Sequence, residues 1–430
     1  MLKWFANRKV GYRIVAMIVA PLLGVLALAG VAINDARSTW VEMGHVADLG
    51  ELAPRVSALA HELQIERTQS AAFINSYGDA FGDVLPATRQ ATDTKTAELR
   101  AAVAEFHFTE RDAALRDAIA AAEGALADIE AKRKQIDDFA LSSPELIAYY
   151  TDTIGALFET VTGILHASPD DAVSKQIGAY LAFLMAKDAA GLERAEGAVG
   201  FASNAFSQTV IARMMQLVAE QDAYIATFAL YASDRDLAAF EAVRQDPVAA
   251  KLAEMRTIAV DSQLSGDLKG VTGAQWFEAT SRRIDLMKTV EDTLALDLRE
   301  MAAGQAEAAW DDFVGLTTGL AVLLIATALL AYAIVRSITG PLGRLASATE
   351  ALAAGDQSVE IPGVDRADEI GVLAAAVQTS KTAAEDMERM RVEQQRREAE
   401  AEERHRAEMM TMADSFEASV MRVVDNVSHA

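Results

Sequence analysis

The sequence predicts an all-α protein carrying two transmembrane helices, and three observations support this. Ala, Leu and Val supply most of the apolar share, with only 8 Pro and 6% aromatic residues in 430 positions, a balance that favours long helices over twisted strands. Two apolar runs are each long enough to cross a bilayer. Elsewhere, apolar residues recur at alternating spacings of four and three, the stripe of a packed helix.

The same composition excludes several functions. A formal charge of -24 argues against a nucleic-acid partner, because phosphate binding needs a basic face. With no cysteine, disulfides, thiolate metal sites and cysteine nucleophiles are absent. Neither His61, His107 nor His166 has a second His at i+4, so no helical metal pair forms and no metal site is expected. There is no Gly-rich phosphate loop and no nucleophile with its base, so neither an enzyme nor a cofactor is expected.

The first apolar run spans 10–33 and contains one charge, Arg13. At ~1.5 Å per residue it crosses a ~30 Å hydrocarbon layer. Lys3, Arg8 and Lys9 precede it, which places residues 1–9 in the cytoplasm. A cleaved signal peptide is the alternative, but the run exceeds the usual ~7–15-residue apolar region. The second run, 313–335, is followed by Arg336 and Arg344, so its C-terminal end faces the cytoplasm as well. Residues 34–312 are then extracytoplasmic, an outline of sensor outside and relay inside.

Within that external segment, Leu52, Val56, Leu59 and Leu63 form a seam that continues through Glu66, Ser70, Phe73 and Tyr77. A carboxylate thus falls at a core position, flanked by Arg67, and a buried charge needs a partner. A second seam, Leu181, Met185, Asp188, Leu192, Ala195, Val199, Ala202 and Phe206, is interrupted by Asp188 and flanked by Arg194. The matching segments IERTQSAAF and LERAEGAVGF point to two helices that face each other. Two converging guanidiniums suit a planar oxyanion such as nitrate or nitrite. The alternative from spacing is purely structural, with Glu66 paired to Arg194 and Glu193 to Arg67.

Beyond the second run, Ile338, Leu345 and Leu352 repeat every seven residues. After a Gly-containing extended stretch come Ile370, Val377 and Ala384, offset by Leu373, Ser380 and Met387. Both series are coiled-coil seams, too narrow to be buried within one chain, which predicts a homodimeric four-helix bundle. A passive stalk is the alternative. Residues 391–430 begin with a densely charged helix such as VEQQRREAEAEERHRAEMM.

Three resemblances accompany these patterns. Pro341-Leu342, Gly355 and Asp368-Glu369-Ile370-Gly371 resemble the HAMP linker of chemoreceptors and sensor kinases over 336–390, which implies a two-state relay with Pro341, Glu369 and Gly371 as relay positions. The run from Leu63 to Arg100, with its Glu-Arg-x-x-Ser element, Arg89 and Thr92-Asp93, resembles the nitrate- and nitrite-sensing family, as does LAFLMAKDAAGLERAEG. Together they cover about 50–305. This resemblance implies a helical sensor whose Arg67 and Arg194 hold the anion, with Glu66 and Ser70 in the same element. Thr68 departs from the family's usual Gly. Finally, ADSFEASVMRVVDNVSHA resembles the opening of the methyl-accepting signalling domain of chemoreceptors, which implies a chemotaxis histidine kinase and a coupling protein as partners. A sensor histidine kinase remains the competing expectation, because Ser428-His429 could open a phosphoacceptor motif. A nucleotide cyclase would need a further catalytic domain.

Overall fold

The computed structural model describes residues 8–427, and Lys3 and Ser428-His429 lie outside them. The described residues form α-helices and one 3-10 turn, with no strand among them. In chain order the helices are α1 Val10–Asn75, α2 Leu85–Glu105, α3 Ala113–Leu126, α4 Ile129–Asp137, α5 Ser143–Ala167 and α6 Asp171–Ala202. Then follow α7 Gln208–Tyr231, α8 Asp234–Gln245, α9 Pro247–Ser265, α10 Gly273–Ala353 and α11 Glu369–Val427. The chain divides into two units, one of residues Val31–Thr317 and one holding the remainder.

In the first unit, local chemistry sets the helix ends. Ser142 and Ser233 open α5 and α8 with capping boxes to Glu145 and Asp236. Asp170 caps α6 by accepting from Val173 N, and Asp246 with Pro247 starts α9 directly after α8. α1 closes with a bond from Gly78 N to Phe73 O of 2.9 Å, and Tyr77 is left-handed at φ 55°. α6 closes in the same way, Ala205 N to Gly200 O at 3.1 Å, with Asn204 at φ 50°. The two stops lie equally far beyond Arg67 and Arg194. The order of elements also repeats, since α1–α5 and α6–α10 each run long helix, antiparallel helix, broken third helix and long fourth helix.

Leu52, Val56, Leu59 and Leu63 are buried as the first seam requires. The seam stops before Tyr77, which is 87% exposed because the helix has already ended. The second seam needs correction. On α6, Ile177, Tyr180, Phe183, Leu184 and Lys187 are among the most deeply buried side chains, while Val199 is half-exposed and Phe206 lies past the helix end. α6 packs against neighbours on several sides, so most of its circumference is buried and no single stripe describes it. One apolar core joins α1–α8 with α10, and a second gathers Phe201, Phe206, Met214, Leu252, Met255 and Trp276.

α1 and α10 each contain a stretch long and apolar enough to cross a membrane, and none of either stretch is covered by the rest of the chain. At the outer ends of these stretches, Trp40, Trp310 and Phe313, the first residue of the second run, form an aromatic knot, with Trp40 4.7 Å from Trp310 and 5.7 Å from Phe313. In the other unit, Leu345, Ala348, Ile361 and Ala374 make a small core with Val359 and Val377 packed on it.

Candidate anion-binding site

The two Glu-Arg pairs lie on α1 and α6, and each Glu and Arg has a different task. Glu66 is fully buried and accepts from Arg133 Nε and Nη2 at 2.7 and 2.9 Å, and from the Tyr150 hydroxyl at 2.8 Å. Burial pushes the Glu66 carboxyl up, but the Arg133 hydrogen bonds and charge outweigh it and hold the group below the usual carboxylate range. Glu193 repeats the arrangement, accepting from Arg256 Nε and Nη2 at 2.6 and 2.7 Å and from Gln221 at 2.9 Å. The expected cross-pairs, Glu66 with Arg194 and Glu193 with Arg67, therefore do not form. Each carboxylate is satisfied by an arginine of its own half, and Glu66 is held by Arg133 and Tyr150.

This frees the two flanking arginines to point across the α1–α6 interface. Arg67, 3% exposed, donates from Nη1 to Thr151 Oγ1 at 3.0 Å and from Nη2 to Asp188 Oδ1 at 2.8 Å. Gln64 donates to the same Asp188 oxygen at 2.9 Å. Arg194 donates from Nη1 to Ser281 Oγ and from Nη2 to Thr68 Oγ1, both at 3.0 Å, and its guanidinium stacks 5.0 Å from the Phe277 ring. Thr68, where the family usually has Gly, thus supplies one of Arg194's two hydroxyl acceptors.

Arg194 is the exceptional group. Among the described residues no carboxylate pairs with it, and its Nε is buried without a hydrogen-bond partner. Burial and the neighbouring Arg67 charge lower its pKa to about 10, and Asp285 opposes them only in part. A partly buried guanidinium with an idle, buried Nε beside a second guanidinium is electrostatically incomplete, and an oxyanion can complete it. Ser70 Oγ is also buried without a partner in hydrogen-bonding geometry. An open cleft of about 1280 Å³ is lined by Phe277 and Ser281, which contact Arg194, and by Ala198, Phe201 and Asp285 among others, but not by Arg194 itself.

One helical turn before Gln64, the interface stays polar. Lys187 and Glu291 form a fully buried ion pair, and Lys187 Nζ lies 3.4 Å from His61 Nδ1. Burial, then Lys187 and Lys288, lower the His61 pKa to about 3, so the imidazole is neutral.

In the second unit, the relay positions form a joint. Pro341 sits inside α10 and has no N–H for the Ser337 carbonyl, which instead receives Arg366 Nη2 at 3.5 Å. The Arg366 guanidinium also grips Asp368, whose Oδ1 accepts from Gly371 N at 3.1 Å at the start of α11. A Cβ at Gly371 would stand 2.0 Å from the Arg366 carbonyl oxygen, so only glycine fits there. Glu369 is exposed.

An all-helical domain between two membrane-length helices, followed by a two-helix linker, has the build of a signalling receptor. The family model described as nitrate and nitrite sensing matches residues 58–299, more than half of the chain, and the chain belongs to that family. The HAMP domain model matches residues 333–386. A nitrate regulatory protein of Klebsiella oxytoca is 28% identical over 261 residues, which cover 61% of this chain and 65% of that protein. A probable chemoreceptor of Sinorhizobium fredii is 34% identical over 143 residues, 33% of this chain and 18% of that protein. The chain therefore spans less than two thirds of either relative. The solved structure of the NasR transcription antiterminator shares the fold, with a TM-score of 0.58 and 22% identity over 84% of this chain and 100% of that one.

Proposed function

We propose that this chain is the sensing and relay portion of a homodimeric chemoreceptor of the bacterial inner membrane that binds nitrate or nitrite between α1 and α6. The observation that carries this reading is Arg194, a partly buried guanidinium with neutral acceptors, a buried and idle Nε, and Arg67 as its neighbour. A small planar monoanion matches the donors that a guanidinium fork presents. Family membership and the name of the Klebsiella relative, a nitrate regulatory protein, support the choice of nitrate. Similarity to the Sinorhizobium chemoreceptor, together with the closing stretch of the sequence, favours a chemotaxis output through a histidine kinase and coupling protein.

In this reading the protein is not an enzyme and needs no cofactor. The anion biases two states of the external domain because it binds one of them more tightly, and the second span passes that bias to the HAMP joint at Pro341 and Gly371. Calorimetry on the full chain in lipid nanodiscs tests the ligand. Nitrate or nitrite should bind the wild type, and Arg194→Ala should abolish the heat while the helical circular dichroism is retained. A folded wild-type protein that gives no heat with either anion rules the ligand out.

A further inference from the structure

The two guanidiniums are placed alike but neutralised differently. Arg67 and Arg194 occupy matching places in the repeated helices, and each donates Nη1 to a hydroxyl of the fourth helix of its own half, Thr151 and Ser281. Their Nη2 contacts differ. Arg194 meets the neutral Thr68 hydroxyl, whereas Arg67 meets the Asp188 carboxylate at 2.8 Å. Asp188 is 9% exposed and is held by Gln64 as well, so it is a built-in anion rather than a solvated surface charge.

We propose that Asp188 sets the charge class of the ligand: by neutralising Arg67 it leaves the guanidinium pair one net positive charge, which admits a monovalent oxyanion and disfavours a divalent one. Among the groups in contact, Thr68, Thr151, Ser281 and Gln64 are neutral and Lys187 is paired with Glu291, while Asp285, exposed to solvent and outside ion-pair distance, offsets Arg194 only in part and disfavours a dianion further. A monoanion makes the group neutral. A dianion such as sulfate leaves an excess negative charge in a partly buried site and carries a desolvation cost that grows with the square of its charge. Discrimination of this kind works by penalising the wrong ligand rather than by adding contacts to the right one.

The inference rests on the nitrate reading, and the experiment separates the two. Nitrate and sulfate are titrated into the full chain in nanodiscs, as wild type, Asp188→Asn and Gln64→Lys. The wild type should prefer nitrate, and Asp188→Asn should raise the sulfate affinity relative to nitrate by about tenfold or more. Gln64→Lys adds a positive charge beside Asp188 while leaving Arg67 and Asp188 in the sequence, so it should shift the ratio the same way even where Asp188→Asn folds poorly. Nitrate binding by the wild type with an unchanged ratio in a folded variant overturns the role of Asp188 alone. A wild type that binds neither anion removes the ligand reading, and this inference with it.

Discussion

At the scale of single residues, the external domain is a set of buried charges whose partners decide their roles. That Glu66 would be buried was legible from its seam position; its partner was not. Arg133 lies in the charged run IEAKRKQID, which reads as a solvated face, yet it shares a helix side with Ile129 and Ile136. Arg256 is likewise bracketed by Leu252 and Ala259. An arginine four residues after one apolar position and three before another was the available signal for both carboxylate partners. His61 yields a prediction with a definite sign. Its folded pKa, about 3, lies far below the ordinary value near ~6.5, so the unfolded chain takes up the proton first as pH falls. The stability linked to neutral His61 is complete above ~6.5 and declines by about 1.4 kcal/mol per pH unit toward the folded value. Between pH ~6.5 and ~5, before most carboxylates titrate, that amounts to about 2 kcal/mol. His61→Gln keeps an acceptor near Lys187 and should flatten thermal stability across this window. An undiminished slope in the variant would assign the acid sensitivity to other groups.

At the scale of elements, helix existence was legible and helix environment was only half so. A helix with one buried face announces it by spacing, which is why the α1 seam reads correctly through Ser70. A helix surrounded by neighbours, such as α6, does not. The stop of α1 is set by the left-handed Tyr77 and by Gly78, neither of which interrupts the apolar spacing. In the linker, the glycine of Asp-Glu-Ile-Gly was visible as a motif, but Arg366 was not, because its role depends on the carbonyl that Pro341 leaves unpaired in α10. Gly371 is where this joint is least tolerant. A methyl placed 2.0 Å from the Arg366 carbonyl must move the first turn of α11 off its Asp368 cap. Overpacking of this kind costs about 1–3 kcal/mol, so Gly371→Ala should speed amide exchange in that turn by roughly ten- to hundredfold while leaving α5 and α6 unchanged. Unaltered exchange there would mean that the linker accommodates the methyl and that the glycine is dispensable.

For the whole molecule, the linker unit raises a question of sufficiency. Its buried core comprises Leu345, Ala348, Ile361 and Ala374, too few apolar side chains for a self-standing bundle. Meanwhile Leu373 is 49% and Met387 68% exposed along one of the two heptad series of α11. A second copy packed along that series would bury them and complete four helices around a shared core, the arrangement a two-state relay requires. The absence of cysteine from these 430 residues makes this directly readable, since any thiol introduced is the only one among them. Parallel copies bring identical seam positions within disulfide reach, whereas positions on the opposite helix face stay too far apart. Met387→Cys should therefore cross-link between chains in native membranes under mild oxidation, and Thr382→Cys, exposed but off the seam, should not. Equal cross-linking at both positions would indicate random collision, and none at either would indicate a monomer in the bilayer. The same pair of variants extends to signalling, because a ligand that rotates or splays the bundle changes the Met387→Cys rate. A nitrate-dependent change that disappears with Arg194→Ala would connect the guanidinium pair to the linker through the chain itself.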